Sequence, residues 1–114
     1  MQENKNTKMN TLYRLTKIKA SNDAKYSPAE NVETYRRSLL LGRELSPPID
    51  YYVEGYLIHS LDIGDCLLMD RINRNGIAIN GYMRTSPITH IEYSYNETHI
   101  TTENSIYKLE EAYS

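Results

Sequence analysis

The sequence predicts a mainly β domain, a small antiparallel barrel or bent sheet of five to six strands with one helix. Three observations predict it. Short runs of branched and aromatic residues fill the chain beyond residue 50. Turn signals interrupt them at Asp62-Ile63-Gly64, Asn75-Gly76, Pro87, Asn96-Glu97 and Glu103-Asn104. A single earlier segment carries helix signals. Strands this short, joined by tight turns, hide their edges best by curling into a barrel.

A chain of 114 residues has room for one core, since two smaller cores would not offset the entropy of ordering their backbones. The domain is expected over residues 11–114. Residues 1–10 have almost no apolar content and are expected to form a disordered leader.

In chain order, Leu12-Tyr13-Arg14-Leu15-Thr16-Lys17-Ile18 reads as the first strand. The helix follows: Ser27 can cap it, Pro28 suits the first helical position, and Glu30 completes a capping box. Val32, Tyr35 and Leu39 then share one face at helical spacing, and Gly42 is a plausible stop. Arg36 and Arg37 fall on the other face, which reads as solvated. Pro47-Pro48 ends any helix, and strands are expected at about 52–59, 65–73, 77–86, 88–95, 98–102 and 105–110.

Asn75-Gly76 is the most specific local signal, because this pair tolerates positive φ at both central positions of a type I′ hairpin turn. The turn sets a register in which Ile72 faces Ile79, Asp70 faces Gly81, Leu68 faces Met83 and Cys66 faces Thr85. That face is expected to be core. Arg71, Met69 and Leu67 then lie on the outer face with Asn80, Tyr82 and Arg84.

Composition narrows the function. With 15 acidic and 13 basic residues the net charge is −2, so no global field attracts nucleic acid, and any such contact needs a local patch. No apolar stretch approaches the ~20 residues of a membrane span, and the polar N-terminal residues do not form a signal peptide. A reducing cytoplasmic location is therefore expected. Cys66 is the one cysteine; it cannot form an internal disulfide, and its place in an apolar run suits a buried side chain.

No catalytic, cofactor or metal site is expected. His59, His90 and His99 sit on separate predicted strands. His90-x-Glu92 lacks the Pro-Cys-x-x-Cys partner that a zinc deaminase requires. Ser105-x-x-Lys108 falls in a strand, where its two side chains point to opposite faces. Asp62 and Asp65 bracket a turn glycine, as turn aspartates do. Cys66 with a histidine and one of these aspartates satisfies the types for nucleophilic catalysis without any sign that they meet. Phosphate-binding glycine motifs are absent.

What remains is tyrosine. The chain has eleven Tyr and neither Phe nor Trp, so its core aromatics must be tyrosines with partnered hydroxyls, and those left over can face a ligand. Tyr93 and Tyr95 share a strand face, and Arg71 and Arg84 flank Tyr82 on the outer face of the hairpin. Rings beside guanidinium groups suit a protein partner or a nucleotide. The candidate binding residues are thus Arg71, Tyr82, Arg84, Tyr93 and Tyr95.

The Arg74-Asn75-Gly76 hairpin, the strand end Arg84-Thr85-Ser86-Pro87-Ile88 and the terminal run from Thr101 to Glu110 together resemble small phage-encoded β-barrel proteins. The resemblance covers residues 53–110. It implies an SH3-like barrel and a phage or mobile-element origin, and it transfers no catalytic residue. The expected function is a non-enzymatic protein-interaction module, such as a phage-encoded inhibitor or regulator of a host component. The alternative is a barrel that binds nucleic acid or a small nucleotide. Self-association into a homo-oligomer is a further way to bury the outer tyrosines.

Overall fold

The computed structural model describes residues 10–22, 24–42 and 45–112. Six antiparallel strands close into a barrel in sequence order: β1 (Leu12–Ala20), β2 (Tyr52–Leu57), β3 (Cys66–Arg74), β4 (Ile77–Tyr93), β5 (Glu97–Thr102) and β6 (Ser105–Glu111). One helix, α1 (Val32–Leu40), lies between β1 and β2. The expected leader falls almost wholly on residues 1–9, outside the described residues. Among the described residues no helix is long and apolar enough to cross a membrane.

Alternation fills the barrel. β1 sends Tyr13, Leu15 and Lys17 inward, β2 sends Val53 and Leu57, β3 sends Leu67 and Met69, and β6 sends Ser105, Tyr107 and Leu109. Ile88 and Ile100 complete the lumen from β4 and β5. Among the described residues the buried aromatics are Tyr13, Tyr51 and Tyr107, as a composition without Phe or Trp requires.

The hairpin corrects the expected core face. Asn75 and Gly76 adopt φ values of 50° and 83°, and the first two pairs, Arg74 with Ile77 and Asn73 with Ala78, follow the turn as expected. An extra β4 residue is then accommodated opposite Ile72, so Arg71 pairs with Gly81, Asp70 with Tyr82, Met69 with Met83 and Leu68 with Arg84. A slip of one residue exchanges the faces of a strand. Met83 and Thr85 stay on the inner side of β4 as expected, but their β3 partners do not. Leu67 and Met69 are wholly buried, Leu68 is half-buried, Asp70 and Ile72 face solvent, and Cys66 pairs with Pro87 rather than Thr85.

Two other expectations change. The strands expected at 77–86 and 88–95 are one strand, β4, which runs through Pro87. Proline has no N–H for a ladder, and it sits at the handover: β4 pairs with β3 up to Pro87 and with β5 from Ile88. Among the described residues, β4 before that handover has a ladder partner on one side only.

The helix begins four residues later than expected. Asn31 caps it, with its side chain accepting from the Thr34 N–H at 2.9 Å. The stretch around Ser27 and Pro28 is instead extended beside Ser46, with Ser46 N–H donating to Ser27 O and Ala29 N–H to Ser46 O. Gly42 follows the C-cap at φ 71°, as a helix stop should. Val32 and Tyr35 pack on the core, the Tyr35 ring meeting Tyr51 edge-on at 5.3 Å. Ser38 takes the third buried position, and Leu39 is largely exposed.

Candidate functional site: an outer sheet face and the barrel mouth

The register that moves Leu67 and Met69 inward assembles a surface on the other side. Cross-strand partners share a face, and Tyr56 pairs with Asp70, which pairs with Tyr82. All three are exposed, Tyr82 to 73 %. A second row lies beside the first: Ile58 N–H donates to Leu68 O, and Leu68 pairs with Arg84. Ile58 is exposed, Leu68 half-buried and Arg84 exposed. Two rows across β2, β3 and β4 thus present two rings and two aliphatic side chains around one carboxylate and one guanidinium.

Gly55 makes this surface possible. It stands beside a β3 bulge, where Glu54 pairs with Asn73 but Gly55 pairs with Arg71. A Cβ at Gly55 would run into the Asp70 carbonyl oxygen and lie 2.9 Å from Arg71 Cα. Glycine lets β2 and β3 approach where the bulge at Ile72 bends the sheet.

The same bulge gathers arginines at the barrel mouth. In a regular strand Arg71 and Arg74, three apart, would point to opposite faces. Here Arg71 pairs with Gly55 and Arg74 with Val53, both inner positions of β2. Arg71 and Arg74 line a cavity of about 320 Å³ with Tyr35, Tyr51 and Tyr107, and the unpaired flank of β4 from Tyr82 to Ser86 forms another wall. Arg71 donates from Nε to Ile79 O at 3.3 Å and from Nη2 to Asn80 O at 3.4 Å. The Arg74 and Arg71 guanidinium groups stand near enough to the Tyr51 hydroxyl to oppose the rise that burial imposes on it. Burial pushes the Tyr35 hydroxyl up to about 12 and also raises Tyr51 and Tyr107, so all three rings are neutral donors at neutral pH.

Of the five sequence-predicted site residues, Arg71, Tyr82 and Arg84 thus meet at this mouth, although Arg71 reaches it from the inner face rather than the outer. Tyr93 and Tyr95 do not join them. Tyr93 pairs with Thr98 next to the β4–β5 turn, and Tyr95 stands in that turn, 92 % exposed. Arg74, Tyr35 and Tyr51 were missed. Arg74 abuts the Asn-Gly turn and alone could have been suspected; nothing local marks a bulge at Ile72.

A second concavity holds the residue types of a nucleophilic site. Cys66 is partly exposed rather than buried, and it lines a shallow groove with His59, Asp62, Asp65, Leu68 and Arg84. The His59 Nδ1 lies 2.9 Å from the Ser60 carbonyl, and no hydrogen bond joins His59 to Cys66. Among the described residues no three His, Cys, Asp or Glu side chains are grouped to hold a metal ion. The groove therefore lacks the base-to-nucleophile geometry that activates a thiol.

No protein family, curated protein or solved structure matches the chain. The geometry of the barrel is what bears on its function.

Proposed function

We propose that this chain is a non-enzymatic protein-interaction module that binds a partner through the outer face of β2, β3 and β4. The observation that carries the reading is the pair of rows Tyr56–Asp70–Tyr82 and Ile58–Leu68–Arg84. Aromatic side chains and arginine are enriched at protein interfaces, and an apolar centre rimmed by charge is their usual anatomy. The face rests on three hydrogen-bonded strands, so little backbone ordering is needed on binding. The complementary surface is apolar, with a basic group opposite Asp70 and an acidic one opposite Arg84. An inhibitor or regulator that works by covering another protein's surface fits this description, and the resemblance to phage-encoded SH3-like barrels points the same way.

The test compares variants rather than relying on capture alone. The full chain is immobilised and exposed to host lysate beside Tyr56→Glu, Ile58→Glu and, as a control at the far turn, Tyr95→Ala. The reading predicts a stoichiometric protein held by the wild type and by Tyr95→Ala and lost by both glutamate variants. Retention of the same protein by the glutamate variants, or no stoichiometric protein at all, would contradict it.

A further inference from the structure

We propose that the cavity at the barrel mouth is a binding site for a small phosphorylated molecule bearing a flat ring, of the nucleoside monophosphate class. This site shares Tyr82 and Arg84 at its edge with the outer face, but it is built on Arg71, Arg74, Tyr35 and Tyr51 and does not rest on the protein-docking reading.

Charge is the first argument. Arg71, Arg74 and Arg84 line the cavity, and among the described residues no Asp or Glu does. The chain as a whole carries more acids than bases, 15 against 13, so a wall with the Arg71 and Arg74 side chains and, among the described residues, no carboxylate runs against its composition. The ion pairs of the described residues involve Arg14, Arg36, Arg37, His99 and Lys108, and none of these three arginines. The partners of Arg71 are the neutral carbonyls of Ile79 and Asn80. They fix its direction without cancelling its charge, and a guanidinium with five N–H donors keeps some for an anion.

The second argument is the chemistry beside the charge. Tyr35 and Tyr51 meet edge-on at 5.3 Å in the same wall as Arg71 and Arg74, and the exposed Tyr82 ring stands at the rim. A phosphate against the arginines would leave an attached ring among these tyrosines, where base–aromatic stacking adds affinity without demanding one particular base. Among the described residues the flank of β4 from Tyr82 to Ser86 has no ladder partner, and its main-chain groups can read the edge of a planar base.

Size selects a monomer. A volume of about 320 Å³ lies at the small end of ligand pockets, room for one nucleotide unit. A net charge of −2 supplies no extended basic track for a polyanion.

The experiment is calorimetric titration of the full chain with the nucleoside 5′-monophosphates, their parent nucleosides, inorganic phosphate and a mixed-sequence oligonucleotide. The inference predicts that a monophosphate binds and that its nucleoside and inorganic phosphate each bind about tenfold or more weakly than it does. Arg71→Gln and Arg74→Gln should each weaken the monophosphate by about tenfold, the effect of losing one charge-assisted contact, with both variants still folded in thermal melts. Tyr95→Ala, in the far β4–β5 turn, should leave binding intact. Absence of monophosphate binding, equal affinity for inorganic phosphate, tighter binding of the oligonucleotide, or indifference to both glutamine variants would each overturn it.

Discussion

Lys17 is wholly buried, and its ammonium donates to Ser46 Oγ at 2.9 Å and to Pro47 O at 2.6 Å. Both acceptors are neutral, and burial lowers its pKa to about 8. Between pH 8 and the unfolded value of 10.5 the unfolded chain therefore holds a proton that the folded chain has released. Stability should rise with pH across that window, by up to ~3 kcal/mol if the whole shift is expressed. Above pH 10 the trend reverses, because the raised pKa values of Tyr35, Tyr51 and Tyr107 favour folding below the unfolded tyrosine value and lose that effect above it. Urea melts at pH 7 and pH 9.5 should show the gain, and Lys17→Met should abolish it. Gly55 makes a sharper demand: Gly55→Ala places a methyl group against the β3 backbone and should cost roughly 3 kcal/mol or more in the same melts. Neither residue announces this in the sequence. Lys17 sits at an inward position of a strand whose alternation is legible, yet a lysine there reads as a break in the pattern rather than as a buried cation.

At the scale of elements, the instructive failure is the β3–β4 hairpin. Asn75-Gly76 correctly specified the turn and its first two pairs, because positive φ at two adjacent residues is a local demand that few other pairs meet. The bulge opposite Ile72 is set by how three strands bend around a closed barrel, and no residue at that place encodes it alone. One slipped residue moved Leu68 out and Leu67 and Met69 in. The consequence is measurable: Leu67→Ala and Met69→Ala should each destabilise the barrel by ~2–5 kcal/mol, and Leu68→Ala by about 1 kcal/mol. Equal losses at Leu67 and Leu68 in thermal melts would put the register in error. The helix tells a similar story. Pro28 and Glu30 imitate an N-terminal box, but extended pairing of the Ser27 region with Ser46 outweighs it, and Asn31 caps instead. Asn31→Ala should cost about 1 kcal/mol, whereas Ser27→Ala should leave the helix intact by circular dichroism.

At the scale of the whole molecule, a mainly β antiparallel barrel or bent sheet of five to six strands with one helix was legible, since its evidence is distributed over many runs and turns and survives errors in any one of them; closure with six strands is what the structure adds. The sites were legible in part. Tyr82 and Arg84 lie where strand alternation puts them, while Arg71 and Arg74 share the mouth through an irregularity, and Tyr93 and Tyr95 are carried away by the length of the undivided β4. The barrel thereby separates two kinds of surface: an apolar outer face on β2, β3 and β4, and a basic, tyrosine-lined mouth reached past the same edge of β4. The central claim is that the outer face docks a protein, and amide hydrogen exchange tests it most directly. Exchange would be compared between the free chain and the chain saturated with the protein retained from lysate. The account predicts slowed exchange centred on Tyr56, Asp70 and Tyr82, with the turn at Tyr95 unchanged. Protection confined to the Tyr93–Tyr95 end, with β2 and β3 exchanging as in the free chain, would contradict it.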